Sequence, residues 1–242
     1  MPKRKDARNR QRLADVTRRE LLKMTPLLLG GALVSPSLRK KLLRAGLSFS
    51  DTASARLFNR QSSLSYPDSA VVPFSKFPYN YFNVLDPEVD LERWTLTVAG
   101  DVQRPGEYTL AQVMALPKVT QNTRHVCVEG WDVIGNFAGA RIRDFLTLVG
   151  ASPMARFLEV ECSDDYYESI DMESAQHPQS LLCYEMYGQP LERGHGAPLR
   201  LQMPTKLGYK QAKYLETLRV TDVISRTRGY WEDQGYSWYG GL

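Results

Sequence analysis

Apolar and polar positions change their period several times along this chain, and each change marks an element. "RWTLTVAG" (93–100) alternates as a half-buried strand does and ends at a glycine. "DVQRPGEY" (101–108) reads as a turn. "TLAQVMALP" (109–117) has the spacing of a short helix, opened by Thr109 and stopped by Pro117. "VTQNTRHVCVEG" (119–130) reads as a strand running into a glycine turn, with Gly135 and Gly139 close behind. "ARIRDFLTLVGA" (140–151) puts Ile142, Phe145, Leu146 and Val149 on one face of a helix. "RFLEVECSDDYYESIDM" (156–172) reads as two strands around an acidic turn. "SLLCYEMYGQPLERGHGAPLRLQMP" (180–204) reads as a strand, a turn at Gly188, a Gly-His-Gly loop and a strand. "KYLETLRVTDV" (213–223) is a further strand-like piece.

Many short strands with few helices predict an α+β fold of mixed, mainly β sheets in a single domain. That domain is expected to span 88–242. Residues 56–87, rich in Pro, Ser, Tyr and Phe, are expected to run extended and drape over it. Residues 1–55 read as signal and linker. No internal repeat appears.

Composition narrows the class. The 242 residues are 43% hydrophobic, 10% aromatic and 24% charged, enough to bury a core. The formal net charge of +4 is local: the first 23 residues carry nine Lys and Arg against Asp6, Asp15 and Glu20, and the remainder is close to neutral. The charge therefore argues for targeting and against nucleic-acid binding. Arg18-Arg19 precedes an apolar run, Met24 to Val34, too short for an ordinary membrane span of about 20 residues. The pair fits a twin-arginine signal for export to the periplasm. That route carries folded proteins, often with a cofactor already inserted. The alternative is a basic amphipathic helix on a membrane or on the domain. "ALVSPS" is a poor cleavage site and Ala53–Ala55 lies far downstream, so an uncleaved anchor is also open.

The chain has three cysteines: Cys127, Cys162 and Cys183. Cys183, inside "LLCYEM", reads as a small buried hydrophobe. Cys162 follows Glu161 at a strand end, before Ser163. Cys127 has the most suggestive surroundings, beside a glycine turn where a ligand can approach the backbone. His125 and Cys127, two apart, would share one strand face, which allows a cysteine–histidine nucleophile, though no third orienting residue is evident. Zinc is a weaker reading: His125, His177 and His195 show no ligand spacing with the cysteines. A soft metal whose other ligands come from an organic cofactor needs only one thiolate. Spacing alone leaves these alternatives open.

From Pro78 to Leu242 the chain resembles the sulfite oxidase-type molybdopterin oxidoreductases. The likeness rests on "YNYFNV" (79–84), "RHVCVEGW" (124–131), "LLCYEMYGQPLERGHGAPLRLQMPTKLGYKQAKYL" (181–215) and "GYWEDQGYSWYGG" (229–241). The cysteine–glutamate pair and the leader look most like the bacterial periplasmic branch, which includes the molybdenum subunit of a protein-methionine-sulfoxide reductase. The resemblance implies that Cys127 is the thiolate ligand of molybdenum and that one molybdopterin supplies the remaining sulfurs. It implies two-electron oxygen-atom transfer. It implies that His195, Arg200 and Lys213 hold the pterin and its phosphate, with backbone groups of Gln211 and Ala212. Asn80, Phe82 and Asn83 match the N-terminal cofactor segment, and Cys162 or Ser163 matches a strand end that contacts the pterin. Glu129 and Trp131 are expected to line the substrate side, with Asp164, Asp165, Tyr166 and Tyr167 near the mouth.

The chain also departs from that pattern. Sulfite oxidases follow their metal cysteine with an arginine-bearing stretch; here Val128, Glu129, Gly130 and Trp131 follow, and a carboxylate beside the metal should repel sulfite. The methionine-sulfoxide reductase branch has a longer insertion after the cysteine and an asparagine in place of His195. The substrate is expected to be a small neutral or cationic S- or N-oxide. No CxxCH for haem and no room for a further dimerisation domain are evident, which implies a monomer served by a separate redox partner, a membrane cytochrome b or a soluble cytochrome c. The rival readings are a dehydrogenase of the same fold, a cofactor-free binding module, and a cysteine hydrolase using Cys127 and His125.

Overall fold

The computed structural model describes residues 37, 38, 41 and 65–242, apart from 79, 84, 85 and 225–227. The Arg18-Arg19 leader, its apolar run and Ala53–Ala55 lie outside the described residues. Among the described residues ten strands form two sheets. In the first, β1 (Thr95–Gly100) pairs antiparallel with β2 (Gly106–Thr109) and parallel with β10 (Leu215–Thr221). Beyond β10 lie β5 (Phe157–Cys162) and β6 (Tyr167–Asp171), both antiparallel, giving the order β2-β1-β10-β5-β6. In the second, β3 (Lys118–Val126) pairs with β4 (Asp132–Arg141), β4 with β7 (Leu181–Met186), and β7 with both β8 (Gln189–Pro190) and β9 (Arg200–Gln202). The parallel β1–β10 pair makes the first sheet mixed, as the α+β reading requires.

Helix α1 (Leu110–Met114) begins where the sequence says it should. The Thr109 side chain accepts from Gln112 N–H while the Gln112 side chain accepts from Thr109 N–H, a reciprocal cap that satisfies two donors the helix leaves open. Helix α2 (Ile142–Val149) buries Ile142, Phe145, Leu146 and Val149, the predicted stripe, and stops at Gly150 in the left-handed region. Helix α3 (Met172–Ala175) is capped by Asp171, and α4 (Tyr230–Asp233) follows Gly229. The apolar faces of both sheets and of α2 meet in one core that includes Leu96, Leu158, Ile142 and Leu182, each fully buried. Such a side chain contributes about 2 kcal/mol by leaving water. A smaller cluster of Phe77, Phe137, Leu181, Cys183, Met186 and Leu191 lies on the other face of the second sheet.

Two sequence expectations need correction. Gly106 to Tyr108 are not turn but the start of β2, and the turn is confined to the residues before them. The ten-residue β4, the longest strand, has no counterpart in the sequence reading because its glycines look like loop. Gly139 is there because a side chain would collide with the Leu182 carbonyl, 2.1 Å from where its Cβ would stand. The backbones of β4 and β7 meet at that point, where their register shifts. The described part of the segment before β1 carries two short 3-10 turns, Asp68–Ala70 and Phe74–Lys76. Tyr66 N–H bonds Asn122 O, Val72 N–H bonds Ile134 O, and Phe77 is buried against the second sheet. Among the described residues no helix is long and apolar enough to cross a membrane.

Candidate active site

A cavity of about 200 Å³ opens where five pieces of chain converge. They are the Phe77–Phe82 segment, the end of β3 with the turn after it, Asp164 and Tyr166 between β5 and β6, and the stretch from His195 to Lys213. The fifth is Trp231 of α4.

The β3–β4 hairpin supplies the first wall. Its last pair is Val126 and Asp132, and a tight loop joins them: Cys127 N–H bonds Trp131 O at 2.9 Å and Gly130 N–H bonds Cys127 O at 3.1 Å. Gly130 sits at φ +93, a conformation that glycine adopts at no steric cost. Cys127 therefore lies just beyond the strand rather than on it. The loop brings Cys127, Glu129 and Trp131 together around one oxygen. Glu129 Oε2 accepts from Asn80 Nδ2 at 2.9 Å, from Trp131 Nε1 at 3.0 Å and from Cys127 Sγ at 3.7 Å. The indole and amide donors hold this exposed carboxyl below its ordinary range. Burial and the Glu129 charge push the Cys127 thiol up, against the pull of the Glu129 backbone N–H.

The opposite wall carries cations. Arg200 on β9 is buried, and its guanidinium donates to two backbone carbonyls, Leu201 O at 3.3 Å and His195 O at 3.1 Å. Among the described residues no carboxylate lies within ion-pair distance of it. Lys213 Nζ donates to Gly194 O at 2.9 Å and stands 4.0 Å from Asp86. Burial first, then Arg200, lowers its pKa to about 8. His195 packs against Phe74 and Phe77, and burial with the two neighbouring cations lowers its pKa to about 4, so the ring is neutral. Gly196, at φ +100, lets the loop close on Lys213, whose Cβ lies 2.8 Å from the position of an added side chain.

Most of the residues singled out in the sequence meet here. Asn80, Phe82, Cys127, Glu129, Trp131, Asp164, Tyr166, His195, Arg200, Gln211, Ala212 and Lys213 all line the cavity. Asn83, Cys162, Ser163, Asp165 and Tyr167 do not. Cys162 faces the main core with Leu158 and Val160, and its burial pushes the thiol well up. Cys183 is fully buried in the second cluster, as read. His125 lines the cavity, but its Nδ1 faces Gln211 Oε1 at 3.3 Å, while the Cys127 thiol is engaged by Asn80 and Glu129. The cysteine–histidine pair of the hydrolase reading is therefore not formed. Sequence reasoning missed Phe77, Tyr81, Gly208, Tyr209 and Trp231 as cavity residues. Gly208 and Tyr209 lie inside the quoted 181–215 stretch and Trp231 inside the last one, so their motifs had been noted but not their place.

Residues 83–231 match the family profile described as the oxidoreductase molybdopterin binding domain. The chain belongs to this family. As a member it is a molybdopterin-dependent oxidoreductase. A chain of Azospira oryzae, provisionally named protein-methionine-sulfoxide reductase subunit YedZ1, is 43% identical over 218 residues, 89% of this chain and 82% of that one. The protein-methionine-sulfoxide reductase catalytic subunit MsrP of Xanthomonas axonopodis is 28% identical over 166 residues, 62% of this chain and 51% of the relative. MsrP of Pseudomonas syringae is 27% identical over 207 residues, 74% and 61%. The chain thus spans less than two thirds of the two MsrP subunits. The sulfane dehydrogenase SoxCD of Paracoccus pantotrophus shares the fold, with a TM-score of 0.55 and 21% identity over 59% of this chain and 42% of that one.

The residues present suit the family's cofactor. A buried guanidinium with only carbonyl partners, with the partly exposed Lys213 near it, leaves positive charge that an anion such as a phosphate would neutralise. The cavity that holds them also holds one thiol, as a soft metal with an organic ligand requires.

Proposed function

We propose that the chain catalyses oxygen-atom transfer at molybdenum ligated by Cys127, reducing a small neutral S- or N-oxide. One observation carries this reading: the Cys127 thiol and the carboxylate-free Arg200 guanidinium line the same cavity. Molybdopterin, when bound, supplies a metal that exchanges two electrons and an oxygen atom with substrate. In balance, a sulfoxide, two electrons and two protons give a thioether and water. Arg200, Lys213 and His195 hold the anionic end of the cofactor, and the backbone of Gln211 and Ala212 with Asn80 and Phe82 encloses it. Asn83, Cys162 and Ser163, which lie off the cavity, have no part in this reading.

Glu129 and Trp131 form the substrate side. With its carboxyl held ionised by two N–H donors, Glu129 repels sulfite and admits a neutral oxide. The names of the relatives support a sulfoxide. Electrons come from a separate partner, a membrane cytochrome b or a soluble cytochrome c, to a monomer exported to the periplasm behind the Arg18-Arg19 leader. Residues 1–55 serve as leader and linker, 56–87 as a covering segment and 88–242 as the cofactor domain.

The test is protein purified from a molybdenum-replete host, wild type beside Cys127→Ala. The expected result is about one molybdenum and one pterin per chain, with a Mo(V) resonance lost or altered in the variant. With a reduced dye as donor, methionine sulfoxide or trimethylamine N-oxide should turn over faster than sulfite is oxidised. Well-folded wild type without molybdenum would sink the reading; sulfite as the better substrate would sink its substrate half.

A further inference from the structure

His125 lies two residues before Cys127 and lines the cavity, yet nothing in the proposed function employs it. We propose that it is a hydrogen-bond acceptor for the bound pterin: a neutral imidazole, protonated on Nδ1, whose Nε2 receives a ring N–H. The proposal rests on the molybdopterin reading above and deepens it.

Gln211 fixes the tautomer. Its Nε2 donates to Lys206 O at 3.0 Å, so its Oε1 faces the other way. There Met203 N–H donates to it at 3.3 Å, and His125 Nδ1 lies at 3.3 Å. An amide oxygen only accepts, so Nδ1 carries a hydrogen. The ring is buried and among the described residues no carboxylate pairs with it, so a second hydrogen and its charge are disfavoured and Nε2 keeps its lone pair. Among the described residues none donates to that Nε2. Gly208 faces it: a side chain there would put its Cβ 3.1 Å from Nε2, and its absence leaves the space before the nitrogen open. The ring cannot swing away, because Phe77 and Trp131 flank it with centroids at 5.8 and 5.9 Å.

An uncharged acceptor adds to what the cavity already offers, the Glu129 and Asp164 carboxylates. Arg200 and Lys213 can only donate, which suits a phosphate. A pterin ring also bears N–H groups, and each one buried without an acceptor weakens binding. His125 offers a rigid, uncharged acceptor, and Gln211 is the residue that positions it. Gln211 so contributes twice, lining the cavity and setting the histidine through its side chain.

Three histidines make the test direct: ¹⁵N-histidine labelling of the full chain, cofactor-free and loaded in the oxidised state, with His125→Phe assigning its resonances. In the cofactor-free protein His125 should show a protonated Nδ1 and a bare Nε2. On loading, the Nε2 resonance should move toward the hydrogen-bonded range. His125→Phe keeps the ring stack without the acceptor and should retain about tenfold less pterin through gel filtration. His125→Gln, which restores an acceptor at similar reach, should recover part of it. An Nε2-protonated ring, an Nε2 resonance unmoved at full pterin content, or undiminished pterin in His125→Phe would each overturn this inference and leave the functional reading standing. Wild type that folds but holds no pterin would overturn both.

Discussion

The stretch from Arg200 to Lys213 holds three buried cations and the partly exposed Lys213, and they fall into two contrasting pairs. Lys206 and Lys210 are matched by carboxylates. Lys210 Nζ bonds Glu168 and Glu232, each at 2.5 Å, with all three side chains 2% exposed or less. Lys206 Nζ bonds Asp171 at 2.8 Å and lies 3.2 Å from the centre of the Tyr239 ring. Arg200 and Lys213, a few residues away in either direction, have carbonyls and one distant carboxylate. The same residue types are buried to different ends. A cation closed in with its counterion fastens segments: β6, the 208–210 turn and α4 meet at Lys210. Arg200, closed in without one, pays a standing desolvation cost that an incoming anion removes.

Lys210→Met is the severest test of this contrast. It leaves two buried carboxylates with no cation and should cost about 3–5 kcal/mol in urea unfolding of the cofactor-free protein. The triple variant Lys210→Met, Glu168→Gln, Glu232→Gln should recover most of that loss. Lys206→Met should cost less, about 2 kcal/mol, because Asp171 keeps the Ser174 N–H and some water. Arg200→Met is the opposite case. It should change the stability of the cofactor-free protein by no more than about 1 kcal/mol, while pterin content falls at least tenfold. Unfolding as severe as that of Lys210→Met would erase the distinction between the pairs.

The smallest expected effect is one of pH. The Lys213 pKa is lowered by burial, then by Arg200, with Asp86 and Asp164 opposing, to about 8 in the folded chain from 10.5. Between those values the unfolded chain binds more protons, so this group's penalty on cofactor-free stability is present below about 8 and fades as pH rises toward 10.5. Affinity for an anion runs the other way. Sulfate, whose charge does not change over this range, should by calorimetry bind a few-fold more weakly at about pH 9 than at about pH 7 as Lys213 loses its charge. Equal affinities would mean that Lys213 does not face the anion.

These pairings were not legible in the sequence. The partners of Lys206 and Lys210 lie on β6 and α4, 22 to 42 residues away, and only the fold brings them in. What could be read was local. The α2 stripe and the Thr109 cap follow from spacing within one turn of helix, and Cys127 stood out by its glycine turn. The position of Cys162 was open to the same reasoning, since the alternation in "FLEVEC" puts it on the face of Leu158 and Val160. The resemblance to a pterin-contacting strand end outweighed that alternation. Strand β4 escaped because its glycines serve a neighbour that the sequence does not reveal: Gly139 makes room for the β7 backbone.

Thr97 of β1 lies beside Thr217 of β10. The central pair of the first sheet therefore cannot form until Thr217 has left the ribosome, and a parallel pairing of such long range is slow to find. Lys213, just before β10, reaches its place only with that late closure. A pterin gripped through Lys213 must therefore wait until the first sheet has closed.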